Sequence, residues 1–309
     1  MNVIKQEIND NFAIYNGDCC EVIKGLPDNS VGYSIFSPPF ADLYTYSNSE
    51  RDLGNCQDYS QFFGQFQFLI KELYRVLKPG RSVSFHCMLL PTQKSRDGYI
   101  GLRDFRGDLI RAFQQEGFIF HSEVVIWKDP LIAAVRTKAL GLMHKQLVKD
   151  SAICRQGIPD YLITMRKDGD NIDFIGHPNG LTHYAGADDP KGENEKKSHY
   201  IWQRYASPVW VDIRQTNTLQ KDSARDEKDE KHICPLQLDV IERCLTLWSN
   251  QNEIVLSPFM GIGSEGYKAI EMNRKFVGIE LKESYYNQAI SNLNNAVKIS
   301  KENNLSLFD

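Results

Sequence analysis

The chain has 309 residues, of which 41% are hydrophobic and 25% are charged, and this balance excludes both wholesale disorder and a disulfide-dependent miniprotein. Its seven cysteines have no CxxC spacing, so we expect reduced thiols with neither a disulfide framework nor a metal site. No stretch approaches the roughly 20 apolar residues of a membrane span, and the polar start lacks the apolar core of a signal peptide, so we expect a cytoplasmic protein without membrane contact.

Residues 1–127 alternate short apolar runs with helical patterns, which is typical of a mostly parallel sheet covered by helices. The predicted elements are, in chain order, a strand at 12–18, a short helix at 19–26, a strand at 31–37, an amphipathic helix at 59–77, a strand at 81–87, a helix near 107–116 and a strand at 118–127. A Lys-Pro-Gly run at 78–80 is expected to end the amphipathic helix.

Residues 128–231 show a weaker periodicity and are predicted to form an inserted region. Within it, residues 168–199 are rich in Gly, Asn, Asp and Lys and predict a long loop, and the charged run 221–231 predicts a solvated connector. Regular structure returns in residues 232–309, with helices predicted at 235–248, 264–272 and from 283 onward, and strands at 253–259 and 275–281. We therefore divide the chain into 1–127, 128–231 and 232–309.

A glycine turn follows the strand predicted at 253–259. Gly261 and Gly263 can adopt positive φ and let the backbone approach a ligand, while the helix that begins at Ser264 offers free N–H groups to an anionic group. Glu280 ends the next strand, where a carboxylate can accept both hydroxyls of a ribose. A dinucleotide and S-adenosylmethionine both suit this geometry, but the turn lies too near the C-terminus for a complete dinucleotide fold to follow.

The turn Ser37-Pro38-Pro39-Phe40 follows the strand predicted at 31–37. Its prolines fix φ and lack N–H donors, so the turn is rigid and its carbonyls are free to accept hydrogen bonds. An exocyclic amine on adenine or cytosine is a poor nucleophile because its lone pair is delocalised into the ring. If Ser37 and a carbonyl accept both amino hydrogens, the lone pair is freed for attack, and Phe40 offers a face on which an extruded base stacks. The alternative is a structural turn with Phe40 in the core.

Together these two motifs resemble the amino DNA methyltransferase family, which acts on adenine N6 or cytosine N4. The Ser-Pro-Pro-Phe turn matches the family's (Asp/Asn/Ser)-Pro-Pro-(Tyr/Phe/Trp) motif, and Phe259, Gly261 and Gly263 match its Phe-x-Gly-x-Gly motif. The order of catalytic motif, recognition region and cofactor motif is that of the β class. The resemblance implies a Rossmann-like α/β core with a mostly parallel seven-stranded sheet and permuted motif order, S-adenosylmethionine as cofactor and double-stranded DNA as substrate.

Further matches refine the resemblance, and there are two departures, one of which is that residues 128–231 match no motif of the family. Asp18, in an Asn-Gly-Asp run, fits the family's acidic contact to the cofactor adenine, and residues 75–80 and 231–235 match two other motifs. The family often has Asp-Pro-Phe where this chain has Ser257 before Pro-Phe. One polar contact near the methionine moiety is therefore altered.

The inserted region is where the resemblance implies target recognition. Residues 128–167 carry eight Lys or Arg against three Asp, in a chain whose formal net charge is −4, so this local basic surface predicts phosphate contacts, with a solvated face as the alternative. The residues assigned to DNA binding are Lys138, Lys145, Lys149 and Arg155. Candidate base or backbone contacts are Trp202, Arg204, Tyr205 and Trp210, with packing as the alternative. Homodimers occur in this class, although the sequence identifies no interface.

Other functions remain as alternatives. A cytosine-C5 methyltransferase would need a nucleophilic cysteine after a proline, whereas Cys234 precedes Pro235. The motif order opposes a protein or RNA methyltransferase, and a non-catalytic nucleic-acid-binding module is the alternative from a different class. Serine before the two prolines is associated with cytosine N4, but adenine methylation is commoner, so adenine N6 is the expected base and cytosine N4 the alternative. No nuclease motif is apparent, which favours an orphan enzyme over a restriction-modification partner.

Overall fold

The computed structural model describes residues 3–40, 59–92, 94–192, 194–219 and 235–305 as an α/β fold. The strands are β1 Lys5–Ile8, β2 Phe12–Asn16, β3 Val31–Phe36, β4 Leu77–Met88, β5 Leu90–Pro91, β6 Leu102–Arg103, β7 Ile119–Ile126, β8 Asp160–Arg166, β9 Val209–Trp210, β10 Ile254–Ser257 and β11 Lys275–Glu280. The α-helices are α1 Cys19–Val22, α2 Tyr59–Val76, α3 Lys94–Asp97, α4 Phe105–Gln115, α5 Pro130–Thr137, α6 His144–Lys149, α7 Asn194–Tyr205, α8 Leu238–Trp248, α9 Ser264–Glu271 and α10 Glu283–Leu305. Short 3₁₀ turns lie at Ile23–Gly25, Leu140–Leu142 and Ser151–Ile153.

One large sheet organises these elements. In the described residues it has nine strands, in the order β1-β2-β11-β10-β3-β4-β8-β7-β9. The strands β2, β11, β10, β3 and β4 are parallel, and β8 runs antiparallel to both of its neighbours. The seven strands from β2 to β7 form the mostly parallel, Rossmann-like core that the sequence predicts, and the short β1 and β9 extend its two edges.

The two halves of the chain meet where β10 pairs with β3. Val255 lies opposite Tyr33 and Leu256 lies opposite Ser34. The buried Ser34 hydroxyl donates a hydrogen bond to the Leu256 carbonyl at 2.9 Å. Because neighbouring parallel strands end at the same edge of a sheet, this pairing places the turn after β3 beside the glycine turn after β10.

Helices cover both faces of the sheet. α2 and α4 pack on one face around a cluster that includes Phe66 and Phe113, and α8, α9 and α10 pack on the other around Ile241, Ile270 and Leu293. Each such side chain contributes about 1.5–3 kcal/mol when it is fully buried. Every residue of β3 is buried, as expected for a strand covered on both faces. No helix in the described ranges is long and apolar enough to cross a membrane.

Strand β4 is longer than predicted. α2 ends at Val76, where the Lys-Pro-Gly run predicts an end, but the strand begins at the next residue, Leu77, and not at Arg81. The sheet tolerates Pro79 inside the strand because the β3–β4 ladder has an irregular register at this point.

The inserted region contributes more to the core than predicted. β8 lies between β4 and β7, and β9 extends the outer edge beyond β7. α7 begins inside the loop predicted at 168–199. The recognition role of residues 128–231 stays a prediction, and the predicted connector at 221–231 and the motif residues 231–234 lie outside the described residues.

Candidate active site

Polar side chains collect at the edge where the parallel strands end. Asp18 follows β2, Glu280 ends β11, Ser257 ends β10, Ser37 follows β3 and His86 lies near the end of β4. These five strands are neighbours in the sheet. The carboxyl edge of an open α/β sheet is where such folds bind ligands. Tertiary structure therefore brings the Ser-Pro-Pro-Phe turn and the glycine turn, from opposite ends of the chain, to one edge of the sheet.

The glycine turn after β10 borders an open space. Gly261 and Gly263 take φ of +53° and +86°, the left-handed conformation that favours glycine. Nothing lies within 4 Å of a Cβ built on Gly261, whereas one built on Gly263 would come within 3.3 Å of Ala289 on α10. The Glu280 carboxylate accepts hydrogen bonds from the N–H groups of Gly261 at 2.9 Å and Lys282 at 2.8 Å. Gly261 thus faces the space for a ligand, while Gly263 allows α10 to pack closely.

The two acidic residues of the predicted cofactor site lie on neighbouring strand ends. The Asn16 side chain donates to the Glu280 carbonyl at 2.9 Å, and the Gly17 N–H donates to the same carbonyl at 3.0 Å. Asp18 is the N-cap of α1 and accepts a hydrogen bond from the Cys20 N–H at 2.8 Å. The bonds of Asn16 and Gly17 hold the end of β2 beside the end of β11, the two strand ends that carry Asp18 and Glu280.

Buried hydroxyl groups complete this half of the site. Ser257 Oγ and Ser264 Oγ are buried and have no hydrogen-bond partner among the described residues. A buried polar atom without a partner costs about 1–3 kcal/mol, which a ligand can recover. The Phe259 ring packs against Phe36 and Phe66, at 5.7 and 6.3 Å between ring centroids. The set fits a ligand with a nucleoside at one end and a charged amino acid at the other, as S-adenosylmethionine has.

Among the described residues, one group of potential metal ligands lies at this edge of the sheet. The ligand atoms of Asp18, Cys19 and Cys20 all lie within 4.8 Å of one another. A hydrogen bond with Cys20 and burial raise the pKa of the Cys19 thiol well above its ordinary value. Because metals bind the thiolate form, this environment disfavours coordination.

A line of closely spaced polar side chains begins at the serine of the Ser-Pro-Pro-Phe turn. Ser37 Oγ lies 3.2 Å from His86 Nδ1. On the other side of the ring, His86 Nε2 lies 2.9 Å from Asp160 Oδ2, and Asp160 Oδ1 accepts a hydrogen bond from Lys128 Nζ at 2.5 Å. Asp160 is the first residue of β8 and is only 2% exposed. The serine hydroxyl is therefore backed by an imidazole and a buried carboxylate.

The charge of Asp160 is fixed by its neighbours. Burial raises the pKa of this carboxyl, but His86 and Lys128 outweigh burial, so the pKa lies below its ordinary value. Asp160 is therefore ionised at neutral pH. A lowered pKa in the folded state means that this carboxylate stabilises the fold above the ordinary pKa of aspartate, and that its contribution is lost as the pH falls through the folded-state pKa.

The rest of the Ser-Pro-Pro-Phe turn is partly buried. Pro38 is buried, and Pro39 and Phe40 are half-buried. The Phe40 ring packs edge-on against Phe105, with 6.4 Å between the ring centroids. Residues 41–58, which follow Phe40, lie outside the described residues.

The predicted DNA-binding side chains lie along α5, α6 and the segment that follows them. Lys138 caps the C-terminus of α5 and is exposed, as are Lys145 and Lys149 on α6. Arg155 is half-buried and donates to the Gln156 carbonyl at 3.1 Å. Three large apolar side chains of α5 are also exposed, namely Leu131, Ile132 and Val135. The surface formed by α5 and α6 therefore presents both basic and apolar side chains.

The basic excess of residues 128–167 is smaller on the surface than in the sequence. Lys128 is bound to Asp160. Lys167 is buried, and its ammonium donates to Asn29 Oδ1 at 2.8 Å and to the Leu77 carbonyl at 2.7 Å. Neither lysine is available for a phosphate.

Two of the four aromatic and basic candidates for nucleic-acid contact are core residues. Tyr205 and Trp210 are 2% and 1% exposed, and the guanidinium of Arg243 lies 5.0 Å from both ring centroids. The prediction of contact is wrong for these two residues because they pack around a buried cation. Trp202, at 55%, remains exposed.

Three residues of the site were not predicted from the sequence. His86 lies within a predicted strand, and the one feature that could have indicated a role is that it is a polar residue near the end of an apolar run. Asp160 begins a strand that the sequence pattern does not predict. In the sequence, Lys128 stands out only as one of the basic residues of 128–167. Their proximity to Ser37 depends on β4 and β8 being neighbours.

The fold and the paired motifs define a methyltransferase that uses S-adenosylmethionine. A family model described as DNA methylase matches residues 33–291. The chain therefore belongs to the N6/N4 DNA methylase family, whose members methylate amino groups in DNA.

Related proteins match over most of their length. The orphan methyltransferase M.BamHII of Bacillus amyloliquefaciens is 25% identical over 278 residues, covering 90% of this chain and 94% of the relative. The Type II methyltransferase M.BglII of Bacillus subtilis is 26% identical over 283 residues, covering 91% of this chain and 68% of the relative.

Solved structures share the fold at low sequence identity. A chain described as a DNA modification methylase from Thermus thermophilus, complexed with S-adenosyl-L-methionine, has a TM-score of 0.61 at 19% identity, covering 93% of this chain and 96% of that one. The PvuII DNA methyltransferase, described as cytosine-N4-specific, has a TM-score of 0.62 at 16% identity, covering 97% and 95%. At these identities the similarity shows the fold alone.

Proposed function

We propose that this enzyme methylates the exocyclic amino group of a base flipped out of double-stranded DNA, at a specific sequence. The observation that carries the proposal is the line from Ser37 through His86 to Asp160 beside the glycine turn. A serine hydroxyl alone is too weak a base to remove the proton that the amino group must lose. The imidazole behind it supplies the missing base.

The proton transfers follow from these contacts. With the His86 proton on Nε2, facing Asp160, Ser37 donates its hydroxyl hydrogen to Nδ1, so the Ser37 oxygen is free to accept an amino hydrogen of the base. When the amino nitrogen gains a methyl group it becomes positively charged and loses one proton. That proton passes to the Ser37 oxygen as the serine's own hydrogen passes to His86, and Asp160 stabilises the imidazolium that forms.

The remaining motif residues position the reactants. S-adenosylmethionine, when bound, supplies a methyl group that is already activated, so the protein accelerates the reaction mainly by positioning. The residues proposed to hold the cofactor are Asp18, Phe259, Gly261, Gly263, Ser264 and Glu280. Pro38 and Pro39 keep the catalytic turn rigid, and Phe40 stacks against the extruded base.

DNA binding is proposed to use the basic surface of α5 and α6. Changing Lys138, Lys145 and Lys149 together to alanine is expected to weaken DNA binding and to reduce its salt dependence. The slope of log affinity against log salt should fall by about 0.9 for each lysine that contacts a phosphate, because fewer counterions are released. Fluorescence anisotropy with a DNA duplex over a range of salt concentrations measures this slope.

A matched control removes the same charge elsewhere. Lys71, Lys275 and Lys298 are also exposed, and their replacement by alanine should leave the slope unchanged. An equal effect in both triple variants would mean that α5 and α6 make no specific phosphate contact.

The acceptor base is proposed to be adenine, at N6. Cytosine N4 is the second candidate, because Ser37 stands where serine is associated with cytosine methylation in this family. We expect label from S-adenosylmethionine to enter duplex DNA on incubation with the purified enzyme, and digestion of the product with mass spectrometry of the nucleosides identifies the base. N6-methyladenine supports the proposal, N4-methylcytosine selects the second candidate, and 5-methylcytosine or no transfer to DNA contradicts the role of Ser37.

A further inference from the structure

Glu265, the second residue of α9, is a buried acid with no cationic partner among the described residues. It is only 4% exposed. Its interactions there are a hydrogen bond from its own backbone N–H and repulsion from Glu280. The nearest lysine along the helix, Lys268, is occupied by Glu242 at 2.8 Å and Glu271 at 2.7 Å. Burying a carboxyl group without a partner destabilises the folded protein, so its presence at this position indicates that a ligand binds there.

Other buried oxygens without a partner lie on elements that begin or end at the same edge of the sheet. Ser257 Oγ, Ser264 Oγ and Gln237 Oε1 are buried and have no hydrogen-bond partner among the described residues. Ser257 ends β10, Ser264 begins α9, and Gln237 is the N-cap of α8. Since α8 precedes β10 and runs back along the sheet, all three lie at the carboxyl edge, where the glycine turn also lies.

We propose that Glu265 binds the ammonium group of the methionine moiety of S-adenosylmethionine, with Ser257, Ser264 and Gln237 as neighbouring acceptors. The unsatisfied atoms are all oxygens that can accept hydrogen bonds, and an ammonium group offers three donors. The sulfonium offers none, so it does not suit this set. Glu265 thereby supplies a carboxylate in place of the one that is absent at Ser257. This inference rests on the use of S-adenosylmethionine by the enzyme.

Binding should be linked to release of a proton. Burial, with repulsion from Glu280 on β11, raises the pKa of Glu265 to about 8, so the free protein holds a proton there at pH 7. On α8 the charges of Asp239 and Glu242 are engaged by Arg214 and by His183 with Lys268. An arriving ammonium group favours the ionised carboxylate and displaces the proton.

Two ligands that undergo no reaction test the contact by isothermal titration calorimetry. S-adenosylhomocysteine carries the ammonium group, whereas 5′-methylthioadenosine lacks the whole amino-acid end. Glu265→Gln should weaken S-adenosylhomocysteine binding about 10- to 100-fold, the range for a hydrogen bond to a charged group, and leave 5′-methylthioadenosine affinity unchanged. In buffers of different ionisation enthalpy, the unmodified enzyme should release about one proton at pH 7, and the variant none.

The control is Glu271→Gln on the same helix, which should bind both ligands as the unmodified enzyme does. The inference would be overturned if Glu265→Gln bound S-adenosylhomocysteine with the same affinity and the same proton release as the unmodified enzyme. It would also be overturned if the variant lost affinity for both ligands by the same factor. If the unmodified enzyme bound neither ligand, the cofactor site itself would be misassigned. Thermal unfolding of each variant confirms that it is folded, since glutamine has nearly the shape of glutamate.

Discussion

Replacing His86 with alanine is expected to lower the turnover of methyl transfer by about 10²- to 10⁴-fold, the usual contribution of a positioned acid–base group. His86 lies between the Ser37 hydroxyl at 3.2 Å and the Asp160 carboxylate at 2.9 Å, so its loss leaves the serine without a base. The affinity for S-adenosylmethionine should not change, because His86 makes none of the proposed cofactor contacts. Single-turnover kinetics and calorimetry measure the two quantities separately.

Double-variant kinetics distinguish a proton relay from a structural effect. If His86 acts through Ser37, the variant with both residues changed to alanine should be no slower than Ser37→Ala alone. Asp160 keeps its ion pair with Lys128 in these variants, so the fold should be retained. His121→Ala, an exposed histidine near the other end of the sheet, should keep full turnover. If the loss of turnover in the double variant equalled the product of the losses in the two single variants, His86 would not act through Ser37.

Replacing Gly261 with valine is expected to abolish S-adenosylmethionine binding. A side chain at this position enters the open space beside the Glu280 carboxylate, where the ligand is proposed to lie. Valine also resists the φ of +53° that the turn requires, so the turn itself would shift. Calorimetry should detect no binding at ligand concentrations that saturate the unmodified enzyme.

The matched control for backbone strain is Gly98→Val. Gly98 has a φ of +80° and, like Gly261, has nothing within 4 Å of a built Cβ, but it lies at the end of α3. This variant carries the same kind of strain and should bind S-adenosylmethionine normally. If a folded Gly261→Val protein bound the cofactor with unchanged affinity, the glycine turn would not be the cofactor site.

Local patterns predicted most elements because their causes are local. The spacing of Phe62, Phe66, Leu69 and Leu73 places these side chains on one face of α2, and all four are buried. β8 was missed because its apolar run stands in a segment dominated by charge and glycine. The same holds for single residues. Trp210 is a candidate for nucleic-acid contact in the sequence, but in the structure it packs in the core against Arg243.

The sequence by itself determined the mostly parallel α/β class, the glycine turn and the Ser-Pro-Pro-Phe turn, because each depends on patterns of neighbouring residues, and the family resemblance implied the Rossmann-like core. Only the tertiary structure decided which side chains stand behind Ser37 and which buried carboxyl group near the glycine turn has no cationic partner among the described residues. β8 pairs antiparallel to β4, with Asp160 opposite Met88, so its first residue lies at the edge where the parallel strands end. This cross-strand register cannot be predicted from a short stretch of sequence, because it is set by the packing of the whole sheet.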